Sequence, residues 1–436
     1  VQIESIRAVA GLSGFYADDQ AAIKAGATQD GFGYDGTPVT PGFDAVRQAG
    51  EALLVDLTLS DGTVVRGDCA AVQYAGAGGR DPVFRAEQAR ETVERVVAPA
   101  LEGRPAAAFG DTVAILESLE PTSEQGRRTG RGEPATVHTA IRYGVSQALL
   151  AAAARAQRTT MTDVVADHVG TEPATDPIPV FGQSGDDRYR NAEKMCIKGV
   201  PVLPHGLFNS HAKVGAEGER LLEYVAWLSE RSQELGGEAY RPRLHIDVYG
   251  LLGELFGAPF DSKATLEYFD RLETAADPLP IQIEGPMDAG TRECQIHAMA
   301  ELRDGLADAG IGVDIVADEW CNTLEDVQAF VDAGAADLVQ IKTPDLGSVH
   351  RSAEAVRYCA GTDTRAYLGG TCNETDVSAR VCAHVAMATN AAQLLAKPGM
   401  GFDEGYMLVE NEMRRTLARR QASDGTMDET EVTADD

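Results

Sequence analysis

The stretch from Leu244 to Trp320 decides the fold. It holds three short apolar runs, LHIDVYG (244–250), IQIEGP (281–286) and DIVADEW (314–320), ending in Asp247, Glu284 and Asp318. The acids are 37 and 34 residues apart, about one strand–helix unit each. Working outward, further strands are expected at Ile178–Phe181, Met195–Lys198, Leu338–Ile341, Ala366–Leu368 and Gln393–Ala396. Helical periodicity falls near 187–194, 217–234, 262–275, 290–309, 323–333, 348–360, 374–389 and 404–418. Eight such units from about residue 177 to 418 fit the size of an α/β protein built as a (β/α)8 TIM barrel. An open doubly wound sheet would need fewer strands and usually a glycine fingerprint after its first strand, which is missing.

Residues 1–170 read differently, as an α+β domain. Strands are expected at 1–10, 51–59 and 62–67, the last two flanking an Asp61–Gly62 hairpin turn. Helices follow near 84–98, 106–120 and 138–156, with an exposed, turn-rich segment at 121–135. The barrel then occupies 171–418. The acidic segment 419–436 has little to bury and is expected to be disordered.

Charge narrows the function. Lys+Arg is 38 against Asp+Glu 68, a net charge of -30, which argues against nucleic acid and against anionic membrane surfaces. Only 7 of the basic residues are lysines, and the acids are spread along the chain. Self-repulsion of that size is relieved by screening, so a salt-rich, halophilic host is expected. Seven cysteines without a C-x-x-C pair suit neither a disulfide scaffold nor a structural zinc site. The opening VQIESIRAVAG resembles no signal peptide. A reduced, soluble, cytoplasmic protein is expected.

The chemistry concentrates at the strand ends. Neighbouring barrel strands would bring Asp247, Glu284 and Asp318 together at the C-terminal mouth, where three carboxylates repel one another. A hard divalent cation relieves that repulsion; all-oxygen ligation suits Mg²⁺, and Mn²⁺ can substitute. The plainer alternative pairs each acid with arginine. Glu319 is the rival of Asp318, but strand alternation sends the two to opposite faces, and Asp318 keeps the phase. In LVQIKTPD (338–345), Gln340 and Lys342 share a face. Lys342 beside a cation and partly buried is a candidate general base, its pKa expected to fall; the plain alternative is a salt bridge to Asp318 or Asp345. His205 is expected in a loop above the mouth, opposite Lys342, able to exchange a proton near neutral pH. Gln183, Gln340, Thr371 and Cys372 offer neutral contacts for a substrate carboxylate, and Gln73 could reach in from the N-terminal domain. Cys372 as a nucleophile lacks an adjacent base. GAGGRDP (76–82) is no P-loop and reads as a flexible loop which, with Gly14–Tyr16, could cover the mouth.

The chain also carries GFYADDQAAIKAG (14–26), GDCAAVQYAGAGGRDP (67–82), FGQSGDDRY (181–189), VLPHGLFN (202–209), HIDVYG (245–250), IEGPMD (283–288), VADEWCNT (316–323), VQIKTPDLG (339–347), GGTCNET (369–375) and LAKPGMGFDEG (395–405). Through these it closely resembles the methylaspartate ammonia-lyases of the enolase superfamily, over about residues 10–418. The resemblance implies a modified enolase-like barrel under an N-terminal capping domain, assembled as a homodimer. It implies Mg²⁺ on Asp247, Glu284 and Asp318, Lys342 as principal base, His205 as second acid–base residue, and substrate contacts from Gln73, Gln183, His205, Gln340, Thr371 and Cys372. It further implies a monovalent activator such as K⁺, and an amino dicarboxylate substrate, L-threo-3-methylaspartate, converted reversibly to mesaconate. A related dehydratase, racemase or cycloisomerase would share the proton abstraction but typically place its bases on other strands. A non-catalytic barrel would show broken site positions, and none is broken.

Overall fold

The computed structural model describes residues 1–76, 79–120 and 137–431. The chain opens with a cap whose strands are β1 (Ile3–Asp18), β2 (Thr28–Asp30), β3 (Gly33–Asp35), β4 (Arg47–Leu59) and β5 (Val64–Ala70). β1, β4 and β5 form one antiparallel sheet in that order, and β2 pairs with β3 alone. The expected Asp61–Gly62 hairpin joins β4 to β5, with Thr58 opposite Val64. Helix Thr139–Gln157 crosses this sheet at a close approach. A Cβ on Gly67 would sit 2.1 Å from the Gly144 carbonyl, and one on Gly144 would sit 2.4 Å from the Cys69 nitrogen. Only glycine at both positions lets helix and strand touch backbone to backbone. That contact fixes β5, which runs directly into Gln73.

The barrel strands are β6 (Val180–Phe181), β7 (Val202–Leu207), β8 (Arg243–Asp247), β9 (Ile281–Glu284), β10 (Val313–Ala317), β11 (Leu338–Ile341), β12 (Arg365–Leu368) and β13 (Gln393–Leu395). They close in parallel, β13 pairing back onto β6. Period-two alternation sorts their side chains. Leu244, Ile246, Ile281, Ile283, Val339, Ile341 and Leu368 join the large core under the surrounding helices. Phe181, Val202, Val316, Leu338, Tyr367 and Leu395 make a separate cluster inside the barrel.

Seven of the eight expected barrel strands fall on observed ones; Met195–Lys198 does not. It ends the helix Arg188–Lys198, which buries Met195 and Cys196 and stops at left-handed Gly199. A four-residue apolar run fits either a strand or one helix face. The second strand is β7, so His205 lies within a strand instead of in a loop above the mouth. The last helix runs Phe402–Glu431, extending through much of the tail expected to be disordered. Once Val409 and Met413 are packed, each added helical residue needs no new nucleus. The expected exposed segment 121–135 and residues 77 and 78 of the glycine-rich loop lie outside the described residues. No helix among the described residues is long and apolar enough to cross a membrane, and the seven cysteines are all free.

Candidate active site

β8 and β9 lie side by side in register, with Asp247 opposite Glu284, so the two acids leave neighbouring strands at the same height. The chain turns sharply after each acid: Tyr249 has φ 51°, Gly285 φ 56° and Trp320 φ 69°. Left-handed backbone at tyrosine and tryptophan is uncommon and concentrates where a site needs it. Asp247 Oδ1 accepts the Tyr249 amide at 3.0 Å.

Ligand atoms of His205, Asp247 and Glu284, all buried, lie within 4.8 Å of one another. Burial first, then the neighbouring acids, pushes the Asp247 and Glu284 carboxyls well above their ordinary range. Asp318 is also raised, by burial, against the pull of Lys342. The charge of Asp318 adds to the rise of both Asp247 and Glu284. Packing like charges into a buried site in this way fits a divalent cation. Asp318 itself is drawn sideways: its Oδ1 lies 2.5 Å from Lys342 Nζ. The tight trio is therefore completed by His205. Glu319 is 46% exposed and turns to Lys342 Nζ at 3.6 Å and to Arg80.

Burial lowers the Lys342 pKa, but Asp318 and Glu319 outweigh it and hold the ammonium above the ordinary lysine value. The depression expected from the sequence is not produced by the protein's own groups, because both acids beside the lysine favour its charged form.

His205 sits at a bulge in β7. It pairs with Ile246, yet Leu207 pairs with Asp247, so Gly206 is the extra residue. His205 itself has φ 61°. Gln183 Oε1 accepts the Gly185 amide at 2.8 Å, leaving Gln183 Nε2 to donate to His205 Nδ1 at 2.8 Å. Nδ1 also lies 3.2 Å from the Gly206 carbonyl, and Nε2 faces Asp247 Oδ2 at 3.7 Å. Burial pulls the imidazole down to about 4, so it is neutral at pH 7.

Gln340 Nε2 donates to Glu284 at 3.2 Å and to the Tyr367 hydroxyl at 2.7 Å, while its Oε1 is buried with no partner. An acceptor left bare in a buried site is suited to a ligand donor. Around the rim, the Cys372 thiol donates to Gln73 Oε1 at 3.4 Å, and burial pushes that thiol up to about 12. It is a donor, not a thiolate nucleophile. Thr371 precedes it, its hydroxyl accepting the Asn373 amide at 3.3 Å. Gln73 Nε2 donates to Asp18 at 2.7 Å, and Asp18 is gripped at both oxygens by Arg47.

Several residues of the site were not singled out in the sequence. Tyr367 donates to both oxygens of Glu284 at 2.7 and 2.8 Å, and His245 Nε2 meets Glu284 at 2.7 Å from below. Both were signalled by alternation, since they share the inward face with Asp247 and Gln340. Tyr74 is a further one: its hydroxyl is raised by burial first, then by the negative charge of Asp18 and of Glu319. Arg80, on the glycine-rich loop, is buried between Asp345 at 2.8 Å and Asn322 at 2.8 Å. No local pattern announces a partner 240 residues away.

Comparison with known proteins accords with this geometry. The family models for the methylaspartate ammonia-lyase N-terminus and C-terminus match residues 1–170 and 172–422. A methylaspartate ammonia-lyase of Haloarcula marismortui is 65% identical over 436 residues, covering 100% of both chains. The crystal structure of the Citrobacter amalonaticus methylaspartate ammonia-lyase containing (2S,3S)-3-methylaspartic acid superimposes with a TM-score of 0.90 at 49% identity, covering 97% of this chain and 100% of that one. The Mg complex of β-methylaspartase from Clostridium tetanomorphum gives 0.87 at 48% identity, covering 96% and 98%. A barrel closed around buried acids, a lysine on the next strand, and family models spanning both halves of the sequence lead to one conclusion: the chain belongs to the methylaspartate ammonia-lyase family of the enolase superfamily, enzymes that cleave a carbon–nitrogen bond.

Proposed function

We propose the following division of labour for loss of ammonia from L-threo-3-methylaspartate to give mesaconate, a reaction that also runs in reverse. Asp247, Glu284 and Asp318 would hold Mg²⁺, for which Mn²⁺ could substitute, and the ion would supply positive charge to stabilise the carboxylate charge that develops when the C3 proton leaves. Lys342, as the uncharged amine, takes the C3 proton. The electron pair of that C–H bond becomes the new double bond, and the C2–N bond breaks to release ammonia. Neutral His205 presents Nε2 to the same carboxylate, hydrogen-bonding it when that nitrogen carries the ring hydrogen and serving as base for the epimeric substrate when it does not. Gln73, Gln183, Gln340, Thr371 and Cys372 orient the amino dicarboxylate.

The observation that carries this reading is the placement of Lys342 Nζ against Asp318, on the face shared with Glu284 and Asp247. Mesaconate formation followed by its ultraviolet absorbance tests it. Turnover of a hydroxy acid with none of 3-methylaspartate would favour another enolase-type reaction. The family resemblance supports K⁺ as monovalent activator and a homodimer, and the free cysteines support a reduced, cytoplasmic location. The charge of -30 supports a halophilic host.

A further inference from the structure

Glu374 is fully buried two residues beyond Cys372. Its carboxylate accepts the Tyr143 hydroxyl at 3.0 Å on both oxygens, and the Thr343 hydroxyl at 3.1 Å on Oε1. Lys397, also fully buried, lies with Nζ 4.0 Å from Glu374 Oε1 and donates no hydrogen bond to a described residue. Among the described residues, neither has another oppositely charged side chain within ion-pair distance. Tyr143 belongs to the cap helix that presses on β5. Thr343 is the residue after Lys342. Gly370, with φ 64°, lies against the charge pair so closely that a Cβ there would be 2.4 Å from Lys397 Nζ and 2.8 Å from Glu374 Oε1. Gly370 leads directly into Thr371 and Cys372.

We propose that Glu374 is a positioning residue with two arms. One runs through Thr343 and sets the direction of Lys342. The other, with Lys397, props Gly370 and so sets the Thr371–Cys372 loop, while Tyr143 locks both to the cap. The inference rests on the assignment of Lys342 as base and of Thr371 and Cys372 as substrate contacts. Its chemical sense is that proton transfer depends steeply on the relative placement of base and substrate; a misplacement of about 1 Å can cost about a hundredfold.

The arms predict a split that a merely structural role would not produce. In the full chain, Thr343→Val keeps the shape of the side chain but removes the donor. It should lower kcat about tenfold and leave KM within about threefold. Lys397→Met should mainly raise KM, by about tenfold. Glu374→Gln should shift both, and the double variant Glu374→Gln with Lys397→Met, which removes both charges and keeps an acceptor, should recover part of the loss. Tyr143→Phe removes one hydroxyl only and carries the test if the charge variants do not fold; it should lower kcat/KM severalfold at unchanged helix content. Wild-type kcat and KM in folded Glu374→Gln or Tyr143→Phe overturns the proposal, as does loss of thermal stability with no change in either constant. Lys342→Ala, assayed in parallel, separates the two readings. If it is inactive while the Glu374 variants are normal, only the positioning role falls; if it is active, the base assignment falls and takes the positioning role with it.

Discussion

Asp318 Oδ1 and Lys342 Nζ lie 2.5 Å apart, each just past the end of one of two neighbouring barrel strands, an ion pair beside the other acids. The arrangement sets the lysine amine directly against an acid of the site. Lys342→Ala is expected to keep its fold by circular dichroism and to bind Mg²⁺. Its turnover of the threo substrate should fall by about 10²–10⁴, the usual contribution of a general base.

Arg80 ties the cap to two barrel loops. Its guanidinium is buried against Asp345, Asn322 and Glu319, the groups flanking Lys342 and Asp318. Arg80→Met leaves Asp345 buried without its cation. A loss of roughly 3 kcal/mol is expected, read as a lower midpoint in denaturant with the slope unchanged.

Acid stability has a definable contributor far from the pocket. Glu412 accepts from His384 and is held by Arg380 at 2.7 Å; the His384 contact first, and then Arg380, outweigh burial and bring the carboxyl down to about 2. A depressed folded pKa favours the folded state above the ordinary value of 4.5 and loses that advantage as pH falls toward 2. Glu412→Gln should therefore destabilise the enzyme at pH 7 by on the order of 2–3 kcal/mol. The gap to wild type should close between about pH 4.5 and pH 2 in urea melts; a gap independent of pH would assign Glu412 a packing role only.

The net charge of -30 leads to a salt prediction. Screening of self-repulsion should raise the unfolding temperature steadily as KCl is added. A midpoint flat from low to molar KCl would contradict a halophilic character.

The barrel was legible because its signal is periodic. Asp247, Glu284, Asp318 and Lys342 each close a short apolar run, about one strand–helix unit after the one before, and alternation alone set Asp318 apart from Glu319. The second strand was misplaced because Met195 and Cys196 are as apolar on a buried helix face as on a strand, while the true strand is broken by Pro204 and Gly206. The bulge that turns His205 inward could not be read for the same reason. The tension on Lys342 was also hidden. Its pKa depends on which acids its flexible arm selects, and that is a property of three-dimensional distance. Arg80, Tyr143 and Glu374 act across 231 residues or more, beyond any local pattern.

The central claim is tested most directly by a crystal structure of the enzyme with Mg²⁺ and 3-methylaspartate bound to a slow variant such as Lys342→Arg or to the wild type under non-turnover conditions. The account predicts the ion on Asp247, Glu284 and Asp318, with the residue-342 side chain directed at C3 of the substrate within about 3.5 Å. An ion seated away from those acids, or a lysine that stays on Asp318 and Glu319 with C3 out of its reach, would contradict it.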